Sequence, residues 1–142
     1  MPNFPPTVEE LVEEFNELED WDERYDLIID FGRELPALSP DEQVEDNIVK
    51  GCMSTVWLVT DIVDDGKKII KIKADSDSII VKGLIVILIA HYSGKSAAEI
   101  LSSDAIELFE QLGLNQHLSP QRRNGLYSMV KRLKQLAAEQ VS

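Results

Sequence analysis

The sequence predicts an α+β domain, a small antiparallel β-sheet packed with helices, and three observations predict it. Helical periodicity behind capping patterns occupies both ends of the 142 residues. Two β-type runs flank an Asp-Gly pair near the middle. Directly after them lies a run of 16 largely apolar residues, Ser78 to Ser93, which exceeds an ordinary strand.

Thr7-Val8-Glu9-Glu10 has the T-x-x-E form of a capping box, and Val8, Leu11, Val12, Phe15 and Leu18 follow at helical spacing, so an amphipathic helix opens the fold. A second helix is expected from about Asp22, burying Tyr25, Ile28, Ile29 and Phe31 and stopping between Gly32 and Pro36. Ser39-Pro40-Asp41-Glu42 repeats the capping pattern with proline at the first helical position, which predicts a short helical turn ahead of Cys52. Val56 to Ile62 and Ile69 to Ala74 read as strands joined through Asp64-Asp65-Gly66, where the Asp-Gly pair favours a tight hairpin. Ile70 and Ile72 alternate with Lys71 and Lys73, so this strand buries one face and wets the other. A third strand has two open sources, the residues near Cys52 and Asp75 to Asp77.

The 16-residue run mixes β-branched residues with helical length. Length decides, Gly94 suits a helix C-terminus, and the run reads as the central buried helix. Short helices then start at Ser96-Ala97-Ala98-Glu99 and Asp104-Ala105-Ile106-Glu107, the second ending at Gly113. A long last helix from Ser119-Pro120 is expected to bury Leu126, Met129, Val130, Leu133 and Leu136 or Ala137.

With 44% hydrophobic and 28% charged residues, residues 1–142 fit one globular domain with one substantial core. The longest apolar stretch carries Lys82 and falls short of a membrane span. The opening MPNFPPTVEE has neither a basic n-region nor an apolar h-region, and one cysteine cannot form an internal disulfide. A reducing, cytoplasmic location is therefore expected. A net charge of −12 opposes binding to an anionic phosphate backbone and argues against nucleic acid as a partner. The charge is uneven: the first 46 residues hold 16 of the 26 acids with only Arg24 and Arg33 as bases, whereas the last helix carries Arg122, Arg123, Lys131, Arg132 and Lys134. This asymmetry fits either a field that steers a partner or a solvated acidic face.

Zinc binding fails on inventory, because one cysteine and two distant histidines, His91 and His117, offer no ligand spacing; a carboxylate site stays open. His91 lies inside the apolar run and reads as a core histidine, and His117 reads as a loop residue before a helix start. No Gly-rich phosphate loop, nucleophile elbow or cysteine-histidine protease signature is present. That leaves Cys52, which follows Lys50 and Gly51 at the mouth of a β-type run, where a side chain can face solvent or a partner. So placed it is a candidate nucleophile, with Lys50 supplying electropositive help toward the thiolate; the alternative is an inert half-buried thiol. Arg122 breaks a local rule, standing third in a helix led by Ser119-Pro120, where an acid would complete a capping box and suit the helix dipole. Such breaks are enriched at functional sites, although exposed arginines at helix starts are common. Ser76 or Asp77, directly before the central helix, is expected to cap its open amides.

The segments YDLIIDFGRELPALS, DNIVKGCMSTVWLV, ADSDSIIVKGLIVILIAHYSG and GLNQHLSPQRRNGLYSMV stand in an order and at a spacing that resemble the SufE family, the sulfur acceptors of cysteine desulfurases. The resemblance covers about Trp21 to Ala137 and rests on GCxSxVW, SDSxIVKGL and LSPxRxNGL together. It implies a SufE/IscU-like fold with Cys52 as the sulfur-accepting cysteine on a loop beside the sheet. It also implies a partner, a SufS-like pyridoxal-phosphate cysteine desulfurase, which the protein stimulates and whose persulfide sulfur the Cys52 thiolate attacks. Sulfur then passes to a SufB-like scaffold for iron-sulfur cluster assembly or to another acceptor. On this resemblance the protein needs no bound cofactor and is a sulfur-transfer protein rather than a stand-alone enzyme. A loop that shelters Cys52 and swings it into the partner would protect the sulfur from oxidation.

By the same resemblance Asp77 and Arg122 take partner-binding or loop-positioning roles, with Lys50, Gly51 and Ser54 around the cysteine. Many members carry Gln-Ser-Gln after the cysteine, where this chain has Met53-Ser54-Thr55. The loss of two amides bears on loop conformation and partner specificity and leaves the thiol chemistry untouched. Apolar Met53 beside the cysteine suggests a sheltered thiol that a bulky reagent alkylates slowly. The rivals are a CsdE-like donor to another acceptor, a desulfurase-activating binder that takes no sulfur, and an IscU-like cluster scaffold, which would want several cysteine ligands.

Overall fold

A computed structural model of the protein describes residues 6–52, 54–64, 66 and 68–141. The capping box at Thr7 forms as its sequence requires: the Thr7 hydroxyl accepts from the Glu10 N–H and the Glu10 carboxylate accepts from the Thr7 N–H, each at 3.1 Å. Helix α1 (Val8–Glu17) starts there and buries Leu11 and Phe15. Its C-terminal carbonyls are satisfied by Arg24, whose Nε donates to the carbonyls of Phe15 and Leu18, both at 3.1 Å. Helix α2 (Trp21–Glu34) buries Ile28, Phe31 and Gly32. Tyr25 and Ile29, expected inside, are only half-buried, and the Tyr25 hydroxyl turns outward to the His117 carbonyl at 2.8 Å.

The expected turn after Pro36 is present as residues 40–42, with the Glu42 carboxylate accepting from the Ser39 N–H at 3.2 Å, and a short 3-10 helix (Glu45–Asn47) follows. Strands β1 (Val56–Asp64) and β2 (Lys68–Ser76) form an antiparallel pair in a register that sets Val56 opposite Ser76 and Asp64 opposite Lys68. Both are longer than the sequence suggests. Asp65, half of the expected hairpin dipeptide, lies outside the described residues, while Gly66 has φ +90°. Alternation holds in β2, where Ile70, Ile72 and Ala74 are buried and Lys71 and Lys73 exposed. Neither open source supplies a third strand among the described residues: Asp75 and Ser76 finish β2, and Ile48 makes a single bridge to Trp57.

Length does decide the apolar run, which folds as helix α3 (Ile79–Tyr92) and buries Val81, Leu84, Ile85, Val86, Ile87 and others on every side. It crosses α2 at close range because both helices carry glycine at the crossing. A Cβ on Gly32 would meet the Ile79 carbonyl at 2.5 Å, and one on Gly83 would collide with the Ile28 carbonyl. Gly94, at φ +84°, turns the chain out of α3 and donates its N–H to the Ile70 carbonyl at 2.8 Å, fixing the helix to β2. Helices α4 (Ala97–Ser102) and α5 (Ile106–Gln111) follow where the capping patterns place them. Gly113, at φ +77°, then leads into one further turn, α6 (Leu114–His117), where the sequence suggests a loop. Helix α7 (Pro120–Val141) buries Leu126, Met129, Val130, Leu133 and Ala137. The described residues thus form seven α-helices around a two-stranded antiparallel sheet.

Candidate functional site

The loop that carries Cys52 leaves and rejoins the sheet at one point. The Val49 N–H donates to the Val56 carbonyl at 2.8 Å, which closes a neck at the start of β1 from which the Cys52 loop hangs. Three further bonds brace the neck from the end of β2. The Thr55 N–H donates to Asp77 Oδ1 at 3.1 Å, the Asp77 N–H to the Thr55 carbonyl at 3.3 Å, and the Ser76 hydroxyl to that same carbonyl at 2.7 Å. This overturns the expectation that Ser76 or Asp77 caps α3. Ser78 is the cap, its hydroxyl accepting from the Val81 N–H at 3.5 Å, because β2 runs on through Ser76 and turns the two preceding side chains toward the loop.

At its free end the loop lies on α7. Gly51 has φ +95°, a backbone that favours glycine, and it approaches α7 so closely that a Cβ would make the Ser128 hydroxyl shift. The next residue, Cys52, is half-buried rather than presented to solvent, and its thiol donates to the Gly125 carbonyl at 3.4 Å. Met53, on which the expectation of shelter rests, lies outside the described residues. The thiol borders a cavity of about 260 Å³ whose walls include Val56, Val81, Leu84, Leu126 and Met129, with Ser54, Ser119 and Arg122 also lining it. Burial pushes the Cys52 thiol above its ordinary pKa.

Lys50, expected to give the thiol electropositive help, does not line this cavity. Its side chain is exposed and lines a separate groove with Glu45, Asp46, Lys131 and Arg132. Arg122 does share the cavity with Cys52 and Ser54. It stands where the sequence placed it, third in the helix, with its N–H donating to the Ser119 hydroxyl at 3.2 Å and its side chain exposed. Asp77, exposed, reaches the loop through Thr55 and does not line the cavity.

The two histidines lie elsewhere. His91 Nε2 is 2.8 Å from the Ser103 hydroxyl, and burial, with Lys95 next, lowers its pKa. His117 stacks on Trp21 with ring centroids 4.0 Å apart. Among the described residues no group of three or more His, Cys, Asp or Glu is placed to hold a metal ion. Two residues of the site were given no site role in the sequence reading. Asp75 is 5% exposed and anchors the segment before the loop, accepting from the Leu38 N–H and Gln43 Nε2, each at 3.3 Å. Gly125 faces the thiol; it stands in the LSPxRxNGL stretch, as a glycine inside a helical pattern.

The pattern of the Fe-S metabolism associated domain, SufE, matches residues 9–137. The chain belongs to the SufE family. SufE-like proteins described as uncharacterized are similar to it in Rhizobium etli, 44% identical over 135 residues covering 94% of this chain and 91% of that one, and in Rhizobium meliloti, 40% identical over 129 residues covering 90% and 92%. The solution structure of a hypothetical protein from Thermus thermophilus has the same fold, with a TM-score of 0.73 and 22% identity over 95% of this chain and 96% of that one. Membership of the SufE family associates the chain with Fe-S metabolism. Among its described residues no helix is long and apolar enough to cross a membrane.

Proposed function

We propose that this SufE-family protein accepts sulfur on Cys52 from a SufS-like cysteine desulfurase, stimulates that enzyme, and delivers the sulfur for iron-sulfur cluster assembly. The observation that carries the reading is the placement of the thiol: the chain's one cysteine, on a loop closed at its neck, sits over a cavity larger than a thiol needs. The Cys52 thiolate attacks the terminal sulfur of the desulfurase persulfide. A sulfur-sulfur bond forms on Cys52, the bond within the enzyme persulfide breaks, and the enzyme cysteine leaves as thiolate with no net oxidation. Because burial raises the thiol's pKa, the resting protein holds little thiolate, and reaction requires the loop to leave α7 for the partner. Asp77 sets the neck of the loop, Gly51 permits its approach to α7, Ser54 lines its inner side, and Arg122 and Lys50 are cations that face an arriving desulfurase. The reading places the protein in a reducing compartment such as the cytoplasm, with the whole chain acting as one SufE-like domain.

The deciding experiment is the intact mass of the protein after incubation with the desulfurase and L-cysteine, before and after reduction, with peptide mapping of Cys52. A reducible gain of sulfur on Cys52 is expected. Binding without any gain overturns the reading, and full stimulation by Cys52→Ser identifies an activator that takes no sulfur. Transfer from loaded protein to an acceptor outside cluster assembly identifies a CsdE-like donor.

A further inference from the structure

Helix α7 carries a glycine, Gly125, in its interior, where glycine is unfavourable to a helix and needs a local reason. The backbone gives none, since the glycines at positive φ are Gly51, Gly66, Gly94 and Gly113. A clash gives none either. At Gly83 a Cβ would run into backbone, but at Gly125 the nearest atom is Cys52 Sγ at 3.5 Å, followed by Cys52 Cα and Cβ at 3.9 Å, which is ordinary van der Waals contact. The resting thiol therefore tolerates an alanine at this position. What alanine would remove is the space next to the sulfur, on the side where Gly125 borders the cavity.

We infer that Gly125 is a positioning residue for the loaded state, its missing side chain reserving room for the terminal sulfur of a Cys52 persulfide. The inference deepens the sulfur-acceptor reading and rests on it. A second sulfur is held about 2.05 Å from Sγ. Directed toward Gly125 it occupies the volume that an alanine methyl 3.5 Å from Sγ would fill, so the two overlap. The apolar side chains that border the same cavity, Val56, Val81, Leu84, Leu126 and Met129, would shield the weak bond on that side. The Gly125 carbonyl, which accepts the thiol proton at 3.4 Å, stays in reach of a protonated persulfide. The glycine thus discriminates between two states of one cysteine: a methyl leaves the thiol seated and displaces the persulfide.

The test loads Cys52 without a desulfurase. The Cys52 thiolate is exchanged with a symmetric aromatic disulfide, giving the mixed disulfide as one aromatic thiolate leaves, and hydrosulfide then attacks Sγ, forming the persulfide as the second aromatic thiolate leaves. Alkylation by a bulky maleimide is followed by intact mass, under anaerobic conditions, for the thiol and persulfide forms of wild type, Gly125→Ala and a urea-unfolded control. In the wild type both forms should react far more slowly than the control. In Gly125→Ala the thiol should remain sheltered while the persulfide reacts faster than its wild-type counterpart by roughly tenfold, the size expected when one methyl overpacks a filled site.

Equal acceleration of both forms, or of neither, overturns the inference. So does a wild-type persulfide that reacts at the unfolded rate, an outcome independent of whether the variant folds. A melting temperature for thiol-form Gly125→Ala no lower than wild type separates the effect from general loosening. Failure of the desulfurase to load Cys52 would instead count against the acceptor reading, because the chemically loaded protein tests the cavity regardless.

Discussion

Cys52 donates its thiol to a helix carbonyl, and its burial favours the neutral form. Alkylation of the folded protein should therefore rise with pH to a midpoint above that of the urea-unfolded chain. A midpoint at or below the unfolded one would show that some cation outweighs burial. The sign for stability follows from the same shift. With the folded pKa raised, this contribution is complete below the unfolded thiol's pKa and is lost as pH rises through the folded one. Cys52→Ser should lack that alkaline loss in urea titrations compared across pH. Asp77 acts one step away, accepting the Thr55 N–H at the neck of the loop. Asp77→Ala removes a hydrogen bond of about 0.5–1.5 kcal/mol, so thiol alkylation should quicken by roughly two- to tenfold. Asp77→Asn keeps an acceptor oxygen and should stay near wild type; equal rates in all three would mean the neck does not control access. At this scale the sequence revealed Cys52 as an isolated reactive type but not that the Lys50 side chain enters a separate groove, because adjacency along a loop does not say which groove a side chain enters.

Elements were legible wherever local chemistry dictates them. The capping boxes at Thr7 and Ser96 form as written, and α3 was decided by length although its β-branched residues favour a strand. What was missed lies at ends and joints. Strand β2 extends through Ser76 because Asp75 and Ser76 find partners in Leu38, Gln43 and Thr55, residues remote in sequence. The turn α6 arises after Gly113 in a segment with only four helical residues, too short for periodicity to register. The α2/α3 crossing is the joint on which the scaffold depends, and it leaves no room for a side chain at residue 83. Gly83→Ala should lower stability by about 1–3 kcal/mol in urea or thermal unfolding, despite alanine's better helix propensity. A variant as stable as wild type would show that the helices can part at no cost.

Over the whole molecule, the net charge of −12 concentrates on the N-terminal third, where Glu14 has its pKa raised first by burial and then by Glu10, Glu17, Glu34 and Glu13. Self-repulsion of this kind is screened by salt, so the melting temperature should rise between low ionic strength and about 0.15 M, where the Debye length falls to about 8 Å. A flat or falling curve would mean that the ion pairs of Lys73 with Glu42 and Asp61 and of Lys82 with Asp75 outweigh the repulsion. The sequence by itself determined the order of the main helices and of the two strands, the buried faces of α1, β2 and α7, the single thiol and the acidic field, because caps, periodicity and charge act over a few residues. Only the tertiary structure decided that the thiol rests on α7, that Asp77 holds the neck instead of capping a helix, and that Gly125 borders empty space beside the sulfur. Those facts join residues 52, 77 and 125, and contacts across such separations depend on how helices and sheet pack, which no local pattern encodes.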